Sequence, residues 1–257
     1  LADSDAVAAE DTRRTRQLLS HFGLKKTLIA LHDYSSDEAV DNIVERLRGG
    51  AAIALVSDAG TPLISDPGYG LVQRAIAAGI AVVPVPGPSA VTAALAVAGL
   101  PTDRFLFTGF LPARTRQRRA ALEALAGRSE TLVLFESVHR LGDTLSALST
   151  ALGGQRPAAV CRELTKRFET VYRGSLAELD AAWTQGDIVA KGEFVLVVAG
   201  APPTPPDAEA LQRLLEELLG TVSARDAAAI AARYLNVPRK LAYAAAQRLK
   251  QRADAAD

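Results

Sequence analysis

Residues 51–56, Ala-Ala-Ile-Ala-Leu-Val, form a short apolar run that breaks into loop chemistry over 57–68 before helical spacing resumes at 69–78. A brief run of small and branched apolar residues with such a boundary reads as a buried parallel strand, and strand, loop, helix in that order reads as an open α/β sheet. Ligands of such sheets sit at the carboxyl ends of the strands, where loop 57–68 falls. Gly60 permits close approach of backbone to ligand, while Pro62 and Pro67 stiffen the loop and withhold two donors. A plain strand-to-helix turn capped by Asp58 and Asp66 is the other use of the same residues.

A second unit repeats the arrangement. Residues 80–85 read as another buried strand, leading into Pro86-Gly87-Pro88-Ser89-Ala90, with Ser89 as N-cap of a small-residue helix over 91–99. Neither loop carries G-x-G-x-x-G or G-x-x-x-x-G-K-[ST], so no dinucleotide or nucleoside triphosphate is indicated.

The chain divides into successive parts. Residues 1–110 read as a cofactor-side α/β domain holding helix 38–48, the two strand–loop–helix units and a strand at 105–107; residues 1–8 read as the tail of a helix. Residues 111–200 read as a second α/β domain, with strands at 131–135, 158–161, 170–173 and 194–199. The shorter spacing in its second half implies mixed strand directions. A stiff proline-rich linker follows at 201–206. Beyond it, helices at 211–218, 227–234 and 239–252, with a turn at 235–238, make a helix-turn-helix-like extension over 207–257.

Cys161 is the single cysteine, which excludes an internal disulfide, and three scattered histidines give no metal-ligand spacing; the reading is cytoplasmic, with no metal. No apolar stretch approaches the ~20 residues of a membrane span. Basic and acidic residues balance at 29 each, so any contact with a polyanion must come from local clusters. Arg114, Arg116, Arg118 and Arg119 form one, and Arg162, Lys166 and Arg167 a second. The segment 225–257, with seven basic residues against three acidic, forms a third and includes Arg239 and Lys240. Each is equally a solvated helix face.

Seven motifs in order carry a resemblance: Ala9-Glu10-Asp11-Thr12-Arg13, residues 57–68, Val85-Pro86-Gly87-Pro88-Ser89-Ala90, Phe107-Thr108-Gly109-Phe110-Leu111-Pro112, Phe135-Glu136-Ser137, Arg162-Glu163-Leu164-Thr165-Lys166 and Gly192-Glu193-Phe194-Val195. Through them the chain resembles the tetrapyrrole methylase superfamily and, within it, the bacterial ribosomal small-subunit methyltransferase I family. The resemblance implies a fold of two α/β domains, one with a parallel and one with a mixed sheet, followed by a helical extension. It implies S-adenosylmethionine as cofactor, methylation of the ribose 2′-oxygen of a decoding-site cytidine in 16S rRNA, the small ribosomal subunit as partner, and a homodimer. The family begins one strand earlier, with a glycine-containing loop, so the sequence reads as lacking that first element.

Carried over residue by residue, the resemblance places Ala59, Gly60 and Thr61 at the methionine end and ribose of the cofactor, with Ile64 as an apolar contact. It places Ser89 and Ala90 on the next loop, Glu136 at the end of a central strand, and Leu164 over the adenine. Arg114, Arg116, Arg162, Arg239 and Lys240 are the expected RNA contacts.

A ribose hydroxyl is scarcely ionised near neutrality, so beyond alignment of the reactants a base or a stabiliser of the developing alkoxide is required. Glu10, Asp11, Asp58, Asp66, Glu163 and Lys166 are candidates, and Glu163 with Lys166 is the pair favoured, beside Leu164 on one loop. Loop caps and a surface ion pair are their alternative roles. A tetrapyrrole carbon methyltransferase, the more distant diphthine synthase, and a cofactor-sensing RNA-binding protein without catalysis are the competing functions.

Overall fold

The computed structural model describes residues 1–32, 34–202, 208–235 and 237–254, the last three by backbone alone. The chain separates into two compact units, residues 1–201 and 202–257.

The first unit opens with β1 (Ala6–Ala9), α1 (Thr12–His21), β2 (Thr27–Ala30), α2 (Asp37–Arg48), β3 (Ile53–Val56), α3 (Tyr69–Ala77) and α4 (Ala90–Ala98). Its three strands form a parallel sheet in the order β2-β1-β3, with Ala6 opposite both Thr27 and Ile53. Residues 6–8 are therefore not the tail of a helix: every residue of β1 is buried at the sheet centre. Alanine favours helix in isolation, but pairing on both edges and cover on both faces override so weak a preference. Val40, Ile43 and Val44 of α2, at helical spacing, pack with Ala8 and Leu71 to form the core of this layer.

Residues 80–85 do not form the expected strand. Val83 and Val85 stand 77% and 88% exposed, and no strand among the described residues pairs with the outer edge of β3. Branched residues favour a strand only where a neighbouring strand receives their ladder and side chains.

The second sheet contains β4 (Phe105–Phe110), β5 (Thr131–Ser137), β6 (Pro157–Arg162), β7 (Thr170–Ser175) and β8 (Glu193–Val198), with α5 (Thr115–Leu125), α6 (Leu141–Leu152) and α7 (Leu176–Gln185) between them. Its order is β4-β5-β8-β6-β7. The strand at 105–107 thus belongs to this sheet and not to the first, because it pairs in parallel with β5. The directions are mixed: β8 runs antiparallel to both β5 and β6, and β7 antiparallel to β6. The carboxyl ends of β4, β5 and β6 therefore share one end of the sheet with the amino ends of β7 and β8.

Alternation along β5 assigns the faces. Leu132 and Leu134 pack with Leu122, Leu145 and Leu176 from α5, α6 and α7, while Val133 and Phe135 pack with Val91, Ala94 and Leu95 of α4. Helix α4 thus lies on the opposite face of the second sheet and delivers loop 86–90 to it.

The second unit is helical: α8 (Ala208–Leu219), α9 (Ala224–Tyr234) and α10 (Arg239–Asp254) enclose a core of Leu211, Leu215, Ala227, Ala228, Ala231, Ala242 and Ala246. Most of the proline-rich linker and Asn236 of the expected turn lie outside the described residues. No helix among the described residues is long and apolar enough to cross a membrane.

Candidate active site

The carboxyl ends of β1 and β3 meet first. Asp11 caps α1, its Oδ1 accepting the Arg13 backbone N–H at 2.8 Å. Hydrogen bonds from Arg13 hold its carboxyl down at about 2. The Asp11 N–H donates to Asp58 Oδ1 at 3.2 Å, and Asp58 Oδ2 pairs with Arg14 at 3.2 Å. The Asp58 carboxylate therefore fastens the end of β3 to the start of α1, and the Asp11 carboxylate caps that helix.

Loop 57–68 leaves this fastening for the second loop. Thr61 Oγ1 donates to the Pro88 carbonyl at 2.9 Å, and at Gly60, φ +74°, an added Cβ would lie 3.9 Å from the same oxygen. Leu63 and Ser65 hold left-handed backbone, φ 72° and 66°, an unfavourable conformation for side-chain-bearing residues that gathers at functional loops. Ser65 lies against β4, where a Cβ on Gly109 would come 3.1 Å from its Oγ. The β4–β5 register slips at this point, between Phe107 and Gly109, and leaves the buried Thr108 Oγ1 without a partner. Ser89 occupies the N-cap position of α4, yet its hydroxyl makes no capping bond.

The second sheet supplies the opposing wall. Beyond β6, Glu163 and Thr165 are also left-handed, φ 49° and 63°. Glu163 donates its N–H to the Glu193 carbonyl and accepts the Glu193 N–H on Oε1, each at 2.9 Å. Lys166 Nζ reaches Glu163 Oε1 at 3.2 Å and Glu193 Oε2 at 2.7 Å. The Glu193 N–H, then the Lys166 ammonium, holds Glu163 below the usual carboxylate range. Burial opposes the charge on Lys166, but its hydrogen bonds to Glu193 and Glu163 prevail and its pKa is raised. Neither residue of the favoured pair is thus a ready proton acceptor near neutrality. Leu164, 7% exposed, packs in one cluster with Ala90. The three loops 57–68, 86–90 and 163–166 are therefore linked, through Thr61 to Pro88 and through Ala90 to the Leu164 cluster.

Asp66 sits among these walls. Burial pushes its carboxyl up to about 6 against the pull of a Ser57 hydrogen bond, and the charges of Glu10, Asp58 and Glu193 add to the rise. Glu193 belongs to the second sheet, so the two sheets share one electrostatic site here.

Two expected site residues direct their side chains to partners within the protein. Glu136 falls on the α6 face of β5, 2% exposed, where its carboxylate accepts Thr144 Oγ1 at 2.7 Å and the Ser137 N–H at 2.8 Å. Alternation along the strand turns its side chain away from α4, where it is a satisfied buried carboxylate. Arg162 is buried and donates from Nε and Nη1 to the carbonyls of Lys191 and Phe168. Arg114 and Arg116 are exposed at the start of α5, whereas Arg118 is buried beside Asp143 at 3.6 Å. Arg239 and Lys240 are exposed in the first turn of α10, in the other unit.

An adenosyl cofactor suits the residues present. Ala90, Leu164 and the 39%-exposed Ile64 offer apolar surface. Ala59 and Gly60 offer open backbone, and the Thr108 and Ser89 hydroxyls lack a partner and a capping bond respectively. Glu193, Gly192 and Thr108 stand inside the matching motifs, yet their residue types alone do not single them out. Among the described residues no group of three or more His, Cys, Asp or Glu is placed to hold a metal.

Residues 1–180 match the family model described as Tetrapyrrole (Corrin/Porphyrin) Methylases, and the chain belongs to that family. Residues 204–250 match a second model, described as the RsmI C-terminal HTH domain. Its relatives include the protein named Ribosomal RNA small subunit methyltransferase I of Xylella fastidiosa strain Temecula1, 49% identical over 92% of this chain and 87% of that protein. The protein of the same name from Escherichia coli O157:H7 is 46% identical over 93% and 84%. Solved structures of like fold include a cobalt precorrin-4 methyltransferase, at TM-score 0.52 and 20% identity over 77% of this chain and 84% of that one. A diphthine synthase is similar at TM-score 0.55 and 18% identity over 77% and 80%.

Proposed function

We propose that the chain transfers the methyl group of S-adenosylmethionine to the ribose 2′-hydroxyl of a decoding-site cytidine in 16S rRNA, with Asp66 as the base. The chain is an rRNA methyltransferase, as its many relatives of that name over most of its length support. The cofactor, when bound, supplies an electrophilic methyl on a good leaving group. The observation that carries the reading is the joining of loops 57–68, 86–90 and 163–166 around the open backbone of Gly60.

Within that frame the residues divide the work. Gly60, Thr61 and Ala90 shape the cradle, Ile64 and Leu164 exclude water, and Ser89 offers a hydroxyl to the cofactor's polar end. Asp66 accepts the proton of the 2′-hydroxyl as the new C–O bond forms. A carboxylate held near 6 is ionised at neutral pH yet retains basicity, which is the compromise a general base needs. Lys166, kept charged by Glu163 and Glu193, provides a fixed positive charge for the developing alkoxide. Arg114 and Arg116 meet the phosphate backbone, and the protein works as a homodimer in the cytoplasm.

Methyl transfer from labelled cofactor to bare small ribosomal subunits, followed by mapping of the modified nucleotide, tests the reading. The expected product is a 2′-O-methylcytidine in 16S rRNA. Label on a base carbon, or transfer to a tetrapyrrole with none to rRNA, overturns it.

A further inference from the structure

The helical unit carries a site of its own. A concavity of about 400 Å³ opens on it, lined by Arg225, Arg239, Lys240 and Tyr243. Arg225 comes from the first turn of α9, and the other three from the first two turns of α10. Residues 239, 240 and 243 share one face of α10 through i, i+3 and i, i+4 spacing. Ala242 and Ala246, one turn on from Arg239 and Tyr243 and flanking that face, are fully buried with Ala227, Ala228 and Ala231 of α9. Five alanines at this contact let the helices approach closely, so the long Arg225 side chain reaches the α10 face.

The charges of this concavity are not balanced. Among the described residues none of the three cations forms an ion pair. Asp226, the acid next to Arg225, is committed to the α9 cap, where it accepts the Ser223 hydroxyl at 2.7 Å. No acidic residue occupies the first turn of α10, so Arg239 and Lys240 stand at the positive end of a helix dipole. Three mutually repelling cations in a hollow present a standing demand for an anion. Tyr243 adds a second requirement. Its ring is 41% exposed at the wall, and its hydroxyl accepts Gln247 Nε2 at 3.2 Å, which limits its rotation. Inorganic anions have no use for an aromatic wall, whereas a nucleotide offers a phosphate to the cations and a π-face to the ring. A hollow of this volume admits one nucleotide and not a paired helix.

We propose that the Arg225–Arg239–Lys240–Tyr243 hollow holds one unpaired ribonucleotide of the substrate RNA, its phosphate among the three cations and its base stacked on Tyr243. The site deepens the proposed function, since it rests on RNA being the substrate, and it identifies single-stranded RNA as the form recognised. The helical unit then grips an unpaired stretch through shape and stacking, with no base-pair readout.

The test uses the full chain with a fluorescein-labelled single-stranded RNA decamer, a duplex of the same length, and a polyglutamate decamer, read by anisotropy across a salt series. Tyr243→Leu is expected to weaken the single strand about 5- to 150-fold, as the loss of one stacked base does, while Tyr243→Phe keeps the affinity. Arg225→Gln and Arg239→Gln should each lower the salt slope by about 0.7. No measurable binding of the single strand, equal binding of the duplex, unchanged affinity in Tyr243→Leu, or polyglutamate binding equal to RNA would each overturn the proposal. Methyl transfer to small subunits is measured alongside. A wild-type chain that methylates rRNA while Tyr243→Leu leaves RNA affinity untouched removes the hollow and spares the function; single-strand binding with no methyl transfer removes the function and spares the hollow.

Discussion

Replacing Asp66 by asparagine separates its proposed catalytic role from its structural cost. Burial lifts the carboxyl from 3.8 to about 6, roughly two units, and each unit corresponds to about 1.4 kcal/mol between protonation states. The undiscounted sum, about 3 kcal/mol, shrinks to about 1 kcal/mol because the group is only half-buried and water screens it. The folded-state value is raised, so the associated stability is fully present below pH 3.8 and is lost as pH rises through about 6. Asp66→Asn, which cannot ionise, should therefore gain about 1 kcal/mol over the parent at pH 8, or roughly 2–4 °C in melting temperature. The gain should vanish toward pH 4. Activity should move the other way: kcat for methyl transfer to small subunits falls by about 10²- to 10⁴-fold, as for loss of a general base. The parent's rate should climb with pH to a plateau above about 6, and the residual rate of the variant should lose that limb. Calorimetric melts at pH 4 and 8, with single-turnover rates across the same range, measure both. A variant that transfers methyl at the parent's rate with the parent's pH profile refutes the assignment, whatever its stability.

Gly60→Val should lower cofactor affinity at least tenfold in a calorimetric titration, because a branched side chain enters the space between loop and ligand at a left-handed position, φ +74°. Gly23→Val is the control: φ is +67° with nothing within 4 Å of an added Cβ, so it bears similar strain and should leave affinity unchanged; equal losses in both variants refute the cradle. Gly192→Ala would drive a Cβ to 2.6 Å from Glu163 Cγ, displace the carboxylate that holds Lys166, and lower kcat with little change in the KM for cofactor. An unaltered kcat in that variant would remove Lys166 from the chemistry.

Much of the architecture was legible from local pattern. The loop at 57–68, the helix at 69–78 and the mixed directions over 131–199 follow from run length, turn residues and spacing, which act on neighbours in sequence. The three C-terminal helices were legible for the same reason, their apolar residues recurring at helical spacing around one core. The motif order named the family, and the loops it marked for the cofactor are brought together by Thr61, Pro88, Ala90 and Leu164.

What the tertiary structure alone decided concerns partners distant in the chain. Residues 6–9 are a strand because 27–30 and 53–56 flank them, and residues 80–85, apolar and branched enough for a strand, are none because no described strand meets them. Residues 105–110 joined the second sheet through pairing with β5, a choice that composition leaves open. The same holds at the site. Glu163 and Asp66 are both carboxylates in loop motifs, and the sequence favours Glu163, which shares a loop with Leu164 and Lys166. The Glu193 N–H and the Lys166 ammonium hold the first ionised, while burial and the fields of Glu10, Asp58 and Glu193 raise the second. A pKa is set by every charge and dipole within several ångströms, and those neighbours are assembled only when the two sheets come together.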